Sequence, residues 1–319
     1  MCNRISFFIL AVMTTTSASP WGFKAHQALN YYAVFTLPPE MFGFYKKHIE
    51  FISEHAVDAD KRKYVSDVEA PRHYIDLDYY GEYPFPGLPR YRDDAVCMYS
   101  EDTVMANGNI PWHIPLMVKW LEQAFIEKDV KKILRLSADL GHYIADAHVP
   151  LHTTSNYNGQ LTGQRGIHGF WETRLPLLFQ DGYDFLTGQA QYAEYPLMDC
   201  WKIVLESHAA VDSVLLFERK LNAIFPSDQK YSFVEKGGLV SSDYSEEYSI
   251  AYHDMLDGMV ERRMRATIAG IGSFWLTAWI NAGQPDLDAL LSEENATDED
   301  ENALDKQVPE GVLHGRECK

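Results

Sequence analysis

Apolar residues recur three and four positions apart through four long stretches, Ile114 to Lys128, Val130 to Ala147, Ile203 to Phe225 and Tyr248 to Ala282, with charged residues between them. That spacing puts the apolar side chains on one face of an α-helix, so each stretch is expected to be an amphipathic helix. Pro150 closes the second stretch, and Gly283 followed by Pro285 closes the last, the usual way for a helix to stop. No convincing series of alternating strands is present. The expected fold class is all-α, a single multi-helix domain over residues 21–285. Tyr79 to Arg92 and Thr153 to Gly169 are rich in Gly, Pro, Tyr and Asn and are expected to be long loops over the helical body.

The two ends follow other patterns. Residues 1–20 carry an early Arg4, an apolar run from Ile5 to Met13 and then small polar residues, the three-part layout of a secretion signal. Its apolar run is too short to span a bilayer, and no stretch of about 18 uninterrupted apolar residues occurs elsewhere. Export to a periplasm or the outside is the expectation. Residues 286–319 hold no aromatic residue and are strongly acidic, as in SEENATDEDENALDK, which fits a disordered tail.

The chain has 319 residues, and its apolar and aromatic content is ample for a core. A formal net charge of -18 disfavours gripping long nucleic acid through a broad basic face, though not an enzyme that meets phosphate through metal ions. Without the signal, Cys97, Cys200 and Cys318 remain, an odd number with no close pairing of the kind that binds zinc.

Four clusters carry candidate chemistry. In GHYIADAHVPLH, His142 and Asp146 stand four apart at the end of an expected helix and project from one face, and His152 returns after Pro150. HGFWE repeats the device with His168 and Glu172. HAVDADKRK followed by APRHYIDLD places Asp58 ahead of His73, and WGFKAHQALN sets Trp21 just past the signal with His26 five residues on. Imidazole nitrogens and carboxylate oxygens are common zinc ligands. Cleavage just before Trp21 would expose an amine beside its carbonyl oxygen, a chelating pair no internal residue offers. Ala18 and Ser19 also invite cleavage there, and would leave extra residues ahead of Trp21. His148 faces another side of its helix than His142 and reads as supporting structure. Phe274, Trp275 and Trp279 read as core.

Taken together, these clusters resemble the superfamily that joins zinc-dependent phospholipase C to the single-strand-specific zinc nucleases. RHYIDLD and HVPLH are similar to the phrases around the ligands in that superfamily, and the motifs span about half the chain, from Trp21 to Glu172. The resemblance implies a three-zinc site: one zinc on Asp58, His73, His142 and Asp146, a second on His152, His168 and Glu172, and a third on Trp21 and His26 with Asp146 shared. It also implies that Asp58 orients or deprotonates the attacking water.

The expected activity is zinc-dependent hydrolysis of phosphate diesters, with phospholipid head groups as substrate and a phospholipase C type of reaction. The alternative is a single-strand-specific endonuclease on DNA or RNA. Glu172 resembles the phospholipase side of the superfamily, and the spacing of Trp21 and His26 the nuclease side. A third reading, from a different class, is a non-catalytic protein that zinc merely stabilises. No feature of the sequence points to a protein partner.

Overall fold

The computed structural model describes residues 22–236 and 239–294, so the expected signal, Trp21 and the tail from residue 295 lie outside the described residues. In chain order the helices are α1 (Gly22–Ala33), α2 (Pro39–Lys47), α3 (Ile49–Glu54), α4 (Asp58–Arg62), α5 (Arg92–Tyr99), α6 (Glu101–Ala106), α7 (Ile110–Glu127) and α8 (Val130–His148). They continue with α9 (Ile167–Gly169), α10 (Leu175–Phe179), α11 (Pro196–Ala209), α12 (Val211–Ile224), α13 (Glu246–Met255), α14 (Met259–Asn281) and α15 (Leu287–Glu294). The all-α class expected from periodicity holds, with one addition. Tyr231–Lys236 and Leu239–Tyr244 pair as an antiparallel hairpin, β1 and β2.

The long helices differ from expectation chiefly in their breaks. The stretch expected over Ile203 to Phe225 is two helices: α11 starts earlier, with Pro196 at its first position, where a missing N–H costs nothing, and ends before Ala210. The stretch from Tyr248 to Ala282 also divides, because Asp257 and Gly258 both take positive φ, 48° and 69°. Helical structure also continues past Pro285: Leu287 and Leu290 of α15 are buried, and α15 packs on α2. None of the described helices is long and apolar enough to cross a membrane.

α8 is the axis of the fold. The side chain of Asp129 caps it by accepting from Lys132 N at 3.1 Å, and every residue from Ser137 to His148 is buried. A helix buried all round needs neighbours on all sides. α1, α3, α7, α11 and α14 supply them. On one flank Trp275 Nε1 of α14 donates to Ser137 O at 3.0 Å, and Tyr45 OH lies 2.9 Å from Ser137 Oγ. On another, Asn30 Nδ2 of α1 donates to Ala138 O at 3.1 Å and Ile52 O at 3.2 Å, joining α1, α3 and α8. Gly141 makes that approach possible, because a Cβ there would meet Asn30 Oδ1 at 1.9 Å.

Candidate metal centre

The last two turns of α8 present His142 and Asp146 to one side, and three other segments bring donors to them. α1 carries His26, whose ring stacks on His142 at 4.2 Å between centroids and whose Nε2 lies 3.4 Å from Asp146 Oδ1. The turn Ala70–His73 brings His73, whose Nδ1 stands 2.7 Å from Asp146 Oδ2 and 3.0 Å from His142 Nε2. α4 brings a second carboxylate, with Asp60 Oδ1 at 3.6 Å from His142 Nε2 and 3.8 Å from His73 Nδ1.

That carboxylate is Asp60 and not the expected Asp58. Residues two apart on a helix point about 200° from each other, so only one of the pair in HAVDAD can face α8. Asp58 turns the other way. Its Oδ2 lies 2.5 Å from His55 Nδ1 and its Oδ1 2.8 Å from Lys61 Nζ, both on its own segment.

A neighbouring group forms where the turn after α8 meets the α9 segment. His152 Nε2 is 3.1 Å and His168 Nε2 2.9 Å from Glu172 Oε2. Glu172 lies in a π-helical turn, Phe170–Arg174, between α9 and α10. Such single π turns occur often at functional sites. The loop ahead of it is braced by Asp78, which accepts from Thr154 Oγ1 at 2.9 Å and from Ser155 Oγ at 2.7 Å. The two groups are joined through the backbone: His152 Nδ1 donates to His73 O at 2.6 Å, and Ile75 N donates to His152 O at 2.9 Å.

Three donor groups result, the first two sharing His142: His26, His142 and Asp146; Asp60, His73 and His142; and His152, His168 and Glu172. Of the nine expected ligands, the structure brings His26, His73, His142, Asp146, His152, His168 and Glu172 together and turns Asp58 away; Trp21 lies outside the described residues.

The donor groups set carboxylate oxygens directly against imidazole nitrogens. His142 gives its Nδ1–H to Ala56 O at 2.8 Å, so in the neutral ring Nε2 is a bare lone pair facing the carboxylate of Asp146 at 3.3 Å. In the same way His152 gives its Nδ1–H to the His73 carbonyl, and its Nε2 faces Glu172 Oε2 at 3.1 Å. His26 Nδ1 is buried without a hydrogen-bond partner. The field favours a cation: burial works against charge on His142, yet Asp146 and Asp60 carry its pKa up to about 9. Burial and neighbouring His142 push His26 the other way, down to about 4. Tetrahedral zinc ligands at about 2.0–2.2 Å stand about 3.3–3.6 Å apart. The donor separations run from 2.7 to 3.8 Å, spanning that range with the shorter ones opening as an ion enters, and the nitrogen and carboxylate chemistry fits zinc.

Glu69, which the sequence reading did not single out, is buried behind His73. His148 is buried in a supporting place, donating from Nδ1 to Ile144 O at 2.8 Å. Beside the donor groups lies a small pocket of about 40 Å³, with His26 and Glu172 in its wall and Leu29, Trp171, Val260 and Met264 giving it an apolar lining.

No protein-family model matches the chain, and no curated protein matches it in sequence. Nine solved chains match in structure. Among them is an alpha-toxin of Clostridium perfringens, isolated from avian strain SWCP, at 13% sequence identity and a TM-score of 0.47. The match covers 84% of this chain and 66% of the toxin chain. At that identity the likeness is one of helical architecture, and no argument about the site rests on it.

Proposed function

We propose that the chain is an exported zinc-dependent hydrolase of phosphate diesters, of the phospholipase C kind, with a site for three zinc ions. The observation that carries this reading is the position of Asp146, one oxygen turned to His26 and the other to His73 and His142. A carboxylate so shared suits a site of several adjacent cations. On this reading Asp60, His73, His142 and Asp146 hold one zinc, His152, His168 and Glu172 a second, and His26 with Asp146 and the Trp21 backbone a third. Bound there, zinc supplies Lewis-acid stabilisation of phosphoryl oxygens and a water acidic enough to attack near neutral pH. The chain's own part is placement. Asp60 takes the role expected of Asp58, orienting the attacking water and accepting its proton.

A set of three protein donors, such as His152, His168 and Glu172, leaves a coordination position free, whereas structural zinc sites are closed by four. This favours an enzyme over a protein that zinc merely stabilises. The acidic net charge favours a phospholipid over a long polyanion as substrate. The exposed rings of Tyr79, Tyr83 and Tyr91 support the second reading, a single-strand nuclease, since bases stack on such rings.

Turnover of phosphatidylcholine vesicles against single-stranded DNA and RNA by the secreted protein separates the two. Asp146→Asn should lose most activity on either substrate together with more than one equivalent of zinc. A variant that retains both would overturn the shared-carboxylate reading.

A further inference from the structure

Accepting that the Asp60, His73 and His142 group holds zinc, we infer that Glu69 is a positioning residue that decides which ring nitrogen of His73 joins the donor cluster. The imidazoles of His142 and His152 are oriented by neutral acceptors, the carbonyls of Ala56 and His73, and both present Nε2 to their clusters. His73 is reversed. Its Nδ1 faces Asp146 and His142, and its Nε2 points away, 3.6 Å from Glu69 Oε1. That distance is slightly beyond a hydrogen bond, and Nε2 is buried with no closer acceptor.

The carboxylate behind it is firmly held. Glu69 is 1% exposed, accepts from Arg72 Nη1 at 2.8 Å and from Arg62 Nη2 at 3.5 Å, and is bonded by the hydroxyl of Tyr143. Arg62 in turn lies 3.0 Å from Asp139 Oδ2 on α8. Tyr143 is the residue after His142, and its ring meets His73 edge-on at 5.3 Å. Two guanidinium groups and a phenol therefore fix one carboxylate against the far edge of one imidazole. A carboxylate accepting the outer N–H of a ligating histidine fixes its tautomer and makes the inner nitrogen a stronger donor. Among the described candidate ligands, His73 turns its outer Nε2 toward a carboxylate, 3.6 Å away, where His142 and His152 give Nδ1–H to carbonyls. The Asp60, His73 and His142 group should consequently hold its ion more tightly than a carbonyl-oriented set would.

The test is long-range proton–nitrogen NMR on zinc-loaded protein labelled with nitrogen-15 histidine. His73 is expected to be protonated at Nε2, and His142 and His152 at Nδ1. His73 protonated at Nδ1 in protein that retains its zinc would overturn this inference alone, whereas unmodified protein that binds no zinc would overturn it together with the hydrolase reading. Glu69→Gln, judged by chelator competition, is expected to weaken one zinc by tenfold or more and leave the others unchanged. A variant that holds every zinc as tightly as the unmodified protein contradicts the assignment, and the tautomer measurement decides the matter if the variant does not fold.

Discussion

At the scale of single residues, the contrast between Asp58 and Asp60 is the sharpest the structure offers. Asp60 faces two imidazoles across the donor cluster, while Asp58 pairs with His55 and Lys61. If the proposed activity holds, Asp60→Asn should lower hydrolysis of bis(p-nitrophenyl) phosphate by about 10²-fold or more, whereas Asp58→Asn should stay within about threefold of the unmodified protein. Equal losses would mean that α4 is turned differently in the working protein. His148 allows a test of pH dependence. Burial and the nearby Arg263 lower its pKa to about 3, while the unfolded chain has a value of about 6.5. The unfolded state binds the extra proton between those values, so this contribution is complete above about pH 6.5 and is lost as pH falls toward 3. Unfolding free energies in chelator at pH 7.5 and 5.5 should fall more steeply for the unmodified protein than for His148→Gln, by up to about 1.4 kcal/mol per pH unit. Equal slopes would show that His148 titrates normally in the fold.

At the scale of elements, the site depends on how closely α1 approaches α8. Asn30 reaches over Gly141 to the backbone of α8, and His26 stacks on His142 one turn further along. Gly141→Ala puts a methyl group where Asn30 Oδ1 lies, which should cost about 1–3 kcal/mol of stability and loosen His26 from the cluster. Chemical denaturation in chelator measures the first effect, and an unchanged midpoint would mean that the two helices separate without cost. The elements were legible in proportion to their local signals. α7 and α8 declare themselves by period and by Pro150, and the pairs His142 with Asp146 and His168 with Glu172 by helical spacing. The hairpin was missed although Gly237 and Gly238, a favoured two-residue connection, stand between its strands. Gly258 likewise marked the break between α13 and α14. In HAVDAD no local signal ranks one aspartate above the other, since which of them faces inward depends on how a one-turn helix lies against α8. Glu69 had no signal either, because its meaning comes from Arg62, Arg72 and Tyr143 meeting it in space.

At the scale of the whole molecule, a buried axial helix carries His142 and Asp146, five further segments bring the remaining donors to it, and an apolar pocket lies at their side. Segments so far apart in sequence gather their carboxylates and imidazoles at a cost that a bound cation would offset, so metal and fold should stabilise each other if the groups hold one. Removing the metal ought therefore to lower the melting temperature as well as the activity. The most direct measurement is elemental mass spectrometry of the purified protein, paired with hydrolysis of bis(p-nitrophenyl) phosphate before and after chelation. The expected result is about three zinc ions per chain and turnover that chelation abolishes and zinc restores. Protein with no tightly bound zinc and no turnover would contradict it.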